Sequence, residues 1–275
     1  KGGVVCGASN VDGVLVKHFC IEKVDELNKL QGSKYTQSNA EGIYKTVSVN
    51  LKQGKLVLFS GTGCQVAGLY GYLGKRKYSG RLITVDLICG GVPSRFLIDK
   101  FIECEPYQVK GIVSFRTKEH RWTPRVFKYN LKIMDDKGFI HDYTNERNLI
   151  STGFACEMTN RYSCYKCLFA GTHRMSDFTI GDYWGVSDFK EQHTDGVSAI
   201  IAHSEESIAL LKDAHAFLEV HEANLSDIVA HNKRICLCKD NTFMLPERRF
   251  LSYTFQHFNY RTLKAIYAFS FGKYS

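Results

Sequence analysis

Proline, long apolar runs and an export layout are all scarce or missing in this sequence. Only 4 prolines occur in 275 residues, so no proline-rich linker divides the chain. The longest apolar stretches, Leu82 to Cys89 and Ala199 to Ala202, are broken by Asp86 or end within a few residues. A bilayer needs roughly 20 such residues in a row, so no membrane span is expected. The chain opens at Lys1-Gly2-Gly3-Val4-Val5, without Met and without the basic-then-apolar layout of a secretory signal. The expectation is a cytoplasmic protein whose natural sequence continues upstream. Internal repeats and low-complexity tracts are also missing.

What is present is a globular composition, 44% hydrophobic, able to bury a sizeable core. The formal net charge of +8 suits phosphate-rich partners, and basic side chains thicken toward the C-terminus at Lys233, Arg234, Arg248, Arg249, Arg261 and Lys264. These cations are interspersed with acids and no nucleic-acid motif accompanies them, so they read as a solvated face rather than a nucleic-acid interface. The 10 cysteines are many for this length. Without an export signal a disulfide framework is not expected, because cytosolic thiols are kept reduced, and metal or redox chemistry takes its place. Cys6, Cys20, Cys104 and Cys156 sit among apolar neighbours and read as small core residues.

Hydrophobic periodicity outlines the elements. Gly3 to Phe19 reads as one or two strands, and Val24, Leu27 and Leu30 give helical spacing across 21–30. A helical stretch over 40–53 leads into Lys55-Leu56-Val57-Leu58-Phe59, apolar on both faces as a buried parallel strand requires. That run ends at Gly61-Thr62-Gly63-Cys64 before a helix over 66–73. The next apolar run ends at Cys89-Gly90-Gly91, with a helix beginning near Pro93. Two successive strand, glycine turn and helix units imply a sheet with right-handed crossovers, with Cys64 and Cys89 at the carboxyl ends of neighbouring strands.

Past residue 109 the pattern becomes antiparallel. Phe127, Tyr129, Leu131 and Ile133 alternate with polar residues, and Asp136-Lys137-Gly138 supplies a turn into Phe139 and Ile140. A helix over 148–157, strands over 177–184 and 198–202, and a helix capped by Ser204 follow. The fold class is α/β, with a mixed, largely parallel sheet flanked by helices and an antiparallel β insertion. Three parts are expected within one unit: an α/β part over 1–108, the insertion over 109–145, and a cysteine-bearing α/β part over 146–275.

The sharpest chemical signal is Cys164-Tyr165-Lys166-Cys167, whose spacing lets two thiolates grip one metal from a single turn. Iron-sulfur clusters and structural zinc both take four such ligands, so two more must come from elsewhere. Cys64 and Cys89 are the natural candidates, because glycines beside them expose backbone amides and allow close approach. Cys236 and Cys238, one residue apart, are a rival pair. Position 70 is Tyr, where a tyrosine-phosphatase loop built on Cys64 needs Arg. Val66 stands where the dinucleotide fingerprint needs its third glycine. Asp182 and Trp184 lie past Cys164 and Cys167 at a strand end, suited to a ribose hydroxyl and an aromatic cofactor face, or to a capped strand with a core Trp. Arg161, Lys166 and Arg174 flank the pair and would offset the charge of a thiolate-ligated cluster.

Taken together, GSKYTQS at 32–38, VLFSGTGCQVAGL at 57–69, TVDLICGGVPS at 84–94 and SCYKCLFAGTHRMSDFTIGDYWG at 163–185 resemble the coenzyme F420 hydrogenase/dehydrogenase beta-subunit family in order and spacing. The resemblance runs from about residue 1 to about residue 210. It implies an oxidoreductase that holds FAD beside a 4Fe-4S cluster and passes electrons between iron-sulfur carriers and a small-molecule hydride donor or acceptor. A ferredoxin-like domain or redox partner protein is implied as well. By matching positions, Cys64, Cys89, Cys164 and Cys167 are the implied cluster ligands. Ser33, Lys34, Tyr35, Thr62, Gly63 and Gln65 are the implied flavin contacts, and no catalytic acid is identified. The sequence departs from the family at Gly63, where Pro is usual, and at Gly90, where His is common. A competing reading keeps the same four cysteines as a structural zinc site with a basic partner-binding surface; another makes the chain a scaffold that has lost its metal.

Overall fold

The architecture follows from which strands are apolar on both faces. In a computed structural model, residues 2–10, 16–74, 78, 80–115, 131–143, 149–155, 157–186, 196–232, 235 and 246–270 are described. A six-stranded sheet runs in the order β2-β1-β3-β4-β8-β9, and a separate three-stranded sheet runs β5-β6-β7. In the larger sheet β1 (Gly3–Asn10), β3 (Leu56–Thr62), β4 (Leu82–Leu87) and β8 (Phe178–Asp182) are mutually parallel. The edge strands β2 (Val16–Ile21) and β9 (Ser198–Ala202) pair antiparallel with β1 and β8. This is the mixed, largely parallel sheet that the strand patterning implied.

Helices cover the sheet through their apolar stripes. Ile43, Val47 and Leu51, four residues apart on α1 (Ile43–Lys52), pack with Val66, Leu69 and Leu73 of α2 (Gly63–Leu73) against Val4, Val57 and Phe59. The N-terminus of α2 is fixed by a reciprocal capping box between Thr62 and Gln65. A second core joins Leu97, Ile98 and Phe101 of α3 (Arg95–Glu103) to Ile112 of β5 (Val109–Ser114) and Ile133 of β6 (Lys132–Asp135). Met134 of β6 pairs with Ile140 of β7 (Ile140–Asp142). The tight turn between β6 and β7 is closed by the Asp135 carboxylate, which accepts from the amides of Lys137 and Phe139. Phe127 to Asn130 lie outside the described residues. A short α4 (Leu149–Ala155) and α5 (Tyr162–Tyr165) precede β8. On α6 (Glu205–Ala214) the Ser204 hydroxyl accepts from the Ser207 amide as a cap. α7 (Leu225–His231), α8 (Pro246–His257) and α9 (Tyr260–Ser270) complete the chain. Among the described residues no helix is long and apolar enough to cross a membrane.

Three expectations need correction. Cys6 and Cys20 are disulfide-bonded rather than separate core thiols. They face each other across the β1–β2 pair with Cα atoms 4.1 Å apart, so the strand register itself brings the sulfurs together. Cys104 does pack, half-buried, against the second core, whereas Cys156, Cys236 and Cys238 lie outside the described residues. Val24, Leu27 and Leu30 belong to a 3-10 helix that buries none of its residues. Their strict spacing of three is the 3-10 period, and no apolar residue occupies the fourth position that an α-helical stripe requires. Pro93 does not open α3; it forms an isolated antiparallel bridge with Asn160, and the helix starts at Arg95.

Candidate functional site

The carboxyl ends of three parallel strands finish level. Thr62 pairs with Leu87 and Leu87 with Ile180, so the chain beyond β3, β4 and β8 emerges on one rim. With the segment 30–38 as a wall, this rim encloses a cleft of about 550 Å³. Cofactor and small-molecule pockets commonly measure roughly 300–1,000 Å³. Ser33, Lys34, Tyr35, Thr62, Gln65 and Asp182 line the cleft.

Gly63 and Trp184 are not among its lining residues. A Cβ on Gly63 would lie 3.0 Å from Arg174 Nη1 and 3.2 Å from Asp86 Oδ2. Trp184 lies two residues past β8, and it is its neighbour Tyr183 that enters the third core, with Ala199 and Ile228. Lys34 is turned back on its own chain. Its ammonium donates to the carbonyls of Leu30 at 3.0 Å, Gln31 at 2.8 Å and Gly32 at 3.1 Å, closing the turn that shapes the wall. Burial lowers its pKa from the usual lysine value.

Beneath the wall runs a hydrogen-bond chain that sequence reasoning missed. His18 Nε2 lies 3.0 Å from the Ser60 carbonyl oxygen, which only accepts, so that nitrogen carries the proton. In the neutral ring Nδ1 accepts from Ser38 Oγ at 2.9 Å, and Ser38 Oγ in turn accepts from Gln65 Nε2 at 2.8 Å. Gln65 Oε1 takes the Thr62 amide at 2.9 Å and the Thr62 hydroxyl at 3.1 Å. With the neutral ring that burial favours, each bond of this chain runs in one direction, and the imidazole stacks on Phe59. Burial pushes the His18 pKa down, partly offset by the Ser60 carbonyl. Nothing local in the sequence marks His18, because a histidine in strand alternation carries no signature.

A stability effect follows from that depressed pKa. As pH falls below the ordinary histidine value of 6.5, the unfolded chain binds a proton at His18 that the folded chain refuses, so stability falls with acidification. The loss grows until the folded imidazole itself protonates. His203, lowered chiefly by desolvation, adds in the same direction. A His18→Leu variant should show a smaller loss of urea midpoint between about pH 7 and 5 than the parent. An unchanged pH slope would remove His18 from this role.

Of the four candidate ligand cysteines, Cys89 lines the cleft itself, and Cys64 and Cys167 lie near Cys164. Residues 92–94 and 159–161 are zipped together: the Ser94 amide donates to Thr159 O at 2.8 Å and the Arg161 amide to Val92 O at 2.9 Å. The zipper carries α5, and with it Cys164, to the loop after Cys89. Tyr165, buried between the paired cysteines, anchors the loop by donating to Glu157 O at 2.5 Å. Burial pushes the Cys164 thiol up, opposed by the Val92 amide, while nearby Cys167 and Cys64 push it the same way. Cys89 Sγ accepts from the Gly91 amide at 3.4 Å. Backbone amides thus address two of the four sulfurs, the environment in which thiolate-ligated clusters are tuned. Among the described residues, however, no three His, Cys, Asp or Glu side chains stand close enough to ligate one metal ion.

Under the cysteine loop lies a buried ion pair. Arg174 Nη1 stands 3.4 Å from Asp86 Oδ2, with the two side chains 4% and 1% exposed. Asp86 Oδ1 accepts from Thr179 Oγ1 at 2.5 Å, and that hydroxyl accepts from His203 Nε2 at 2.8 Å. Arg174 Nε donates to Gly171 O at 2.7 Å. Asp86 could have been found from sequence, because a carboxylate inside the apolar run Leu82–Ile88 must be paired if that run is buried.

Residues 54–227, more than half of the chain, match the family model for the coenzyme F420 hydrogenase/dehydrogenase beta subunit, C terminus. No curated protein matches. A chain of the F420-reducing NiFe hydrogenase complex from Methanosarcina barkeri, solved in a xenon-derivatised form, shares this fold with a TM-score of 0.52. The two are 16% identical, and the match covers 92% of this chain and 79% of that one.

Proposed function

Because this chain belongs to the coenzyme F420 hydrogenase/dehydrogenase beta-subunit family, we propose that it is an oxidoreductase subunit holding FAD in the cleft and a 4Fe-4S cluster on Cys64, Cys89, Cys164 and Cys167. One observation carries the reading. The loop Cys89–Val92 lines the cleft on one side and, through the Val92 amide, faces Cys164 on the other. A ligand in the cleft and a thiolate-held centre would therefore share one wall. When bound, a flavin exchanges hydride with a substrate and single electrons with a cluster.

The chain's own residues supply the binding and the positioning. Ser33 and Tyr35 present the wall, Thr62 and Gln65 hold the first turn of α2 against it, and Asp182 stands at the rim where a ribose hydroxyl would be recognised. Gly63 lies against Arg174 rather than in the cleft, so its place is under the cysteine loop. Trp184 is left out of the flavin contacts. The redox partner is a protein that donates or takes single electrons, and the second substrate is a small hydride donor or acceptor.

Anaerobic purification with assay of iron, sulfide and flavin tests this. The expected content is about four irons for each such cluster, with bleachable flavin, and Cys164→Ala should lose that iron. About one zinc per chain without flavin would replace the reading with a structural four-thiolate site.

A further inference from the structure

A covalent link crosses the edge of the large sheet. Cys6 and Cys20 are direct register partners on β1 and β2 and are disulfide-bonded, whereas the five other described cysteines are free. Among the described residues the bond is therefore a local tie and not part of a disulfide framework. Cys6 is wholly buried beside its β3 register partner Phe59, while Cys20 is half-buried. Cys20 is the partner that a reductant can reach.

The tie bears on the cleft because the wall hangs on β2. On the outer edge of that strand the His18 amide donates to Asn39 O at 2.9 Å and the Asn39 amide to Val16 O at 2.7 Å. The neighbouring Ser38 hydroxyl is held by the His18 ring. Residues 32–38 line the cleft together with Val16 and His18 themselves. Cys20 lies two residues beyond His18, on the same face of the strand. Wall, imidazole and disulfide thus share one edge strand, and an edge strand is laddered to its sheet on one side only.

We infer that the Cys6–Cys20 pair is a redox switch for the cleft. Oxidised, it pins β2 and holds the wall in place; reduced, it lets the edge strand open and takes the wall with it. The inference rests on the cleft being the flavin site, which makes FAD the ligand whose binding is switched. A dithiol supplies the electrons. Its thiolate attacks the Cys20 sulfur to form a mixed disulfide and expels the Cys6 thiolate, which takes up a proton. The second thiol, losing its own proton, then attacks the mixed disulfide, releases Cys20 as a thiol and leaves the reductant as a disulfide. The protein gains two electrons and two protons. Cutting a cross-link widens the set of open states available to the segment it closed.

The test uses the whole chain, prepared anaerobically without thiol reductant and stripped of flavin, before and after treatment with dithiothreitol. Reduction should speed hydrogen exchange at the His18 and Asn39 amides by about tenfold or more. The Thr84 amide, which donates to Asp177 Oδ2 at 2.7 Å on the other side of the sheet, should keep its rate. The Kd for FAD should rise by about threefold or more, because a wall that is partly open leaves a smaller binding-competent fraction. In Cys6→Ala/Cys20→Ala both readouts should start at the reduced values and no longer respond to dithiothreitol, which separates the disulfide from any reduction of cluster or flavin. Unbonded thiols at Cys6 and Cys20 before treatment, or equal exchange at His18 and Asn39 in the two states of the parent, would overturn the switch. Faster exchange with an unchanged Kd would overturn its coupling to the cleft. FAD binding in neither state would overturn the flavin reading, and the switch would then stand or fall on the exchange at Asn39.

Discussion

Arg174→Leu should destabilise the protein by about 3–5 kcal/mol, the usual consequence of stranding one partner of a buried ion pair. The guanidinium is the cation facing Asp86, and removing it leaves a carboxylate 1% exposed with the Thr179 hydroxyl as its hydrogen-bond partner. Water is shut out, because both side chains of the pair are buried. At about 2–4 °C per kcal/mol for a chain somewhat smaller than this one, the melting temperature should fall by roughly 6–20 °C. The double variant Asp86→Asn/Arg174→Leu should recover much of the loss, since no uncompensated charge then remains. A single-variant loss below about 1 kcal/mol would mean that the pair is solvated in solution, against its burial here.

Gly91→Ala should cost about 2–5 kcal/mol, through two separate effects. Gly91 has φ +91°, a conformation that costs an L-residue roughly 1–2 kcal/mol. Its new Cβ would also lie 2.7 Å from Asn160 Nδ2 and 2.9 Å from Asn160 Cγ, in a buried side chain without room to retreat, which adds about 1–3 kcal/mol. Gly32→Ala separates the two terms, because φ there is +84° but nothing lies within 4 Å of the added atom. That variant should lose only about 1 kcal/mol. On the proposed ligand set, the Gly91 change should also lower iron retention. Asn160 bridges Pro93, so a displaced Asn160 unzips the segment that brings Cys164 to the Cys89 loop. Equal melting temperatures for the two variants would rule out the steric part.

How much could be read in advance varies from residue to residue. The two strand, turn and helix units from Leu56 to Glu103 were legible because their strands are apolar on both faces and their turns are marked by glycine. The handedness rule then sets Cys64 and Cys89 on adjacent strand ends. The insertion of β8 beside β4 was not legible, since it depends on a pairing made across the whole antiparallel segment. The Cys6–Cys20 link was missed for a related reason: a run read as one or two strands leaves the register open, and register decides which cysteines meet. The wall at 30–38 has no periodicity, and only resemblance pointed to it. His18, Ser38 and Asn160 matter through partners 20 to 70 residues away in sequence or through a close approach of backbone, and no local window contains that information.

The pairing of β4 with β8 also sets a schedule for synthesis. Thr84 and Asp177 are hydrogen-bonded neighbours separated by 93 residues. At a translation rate of about 5–20 residues per second, β4 stays the open edge of a partial sheet for roughly 5–20 s. For most of that interval Cys64 and Cys89 have been made while Cys164 and Cys167 have not. On the proposed ligand set, metal insertion into all four sulfurs therefore belongs after the last parallel strand has docked, and a nascent chain arrested in the insertion would offer half of those cysteines beside an unpaired strand edge.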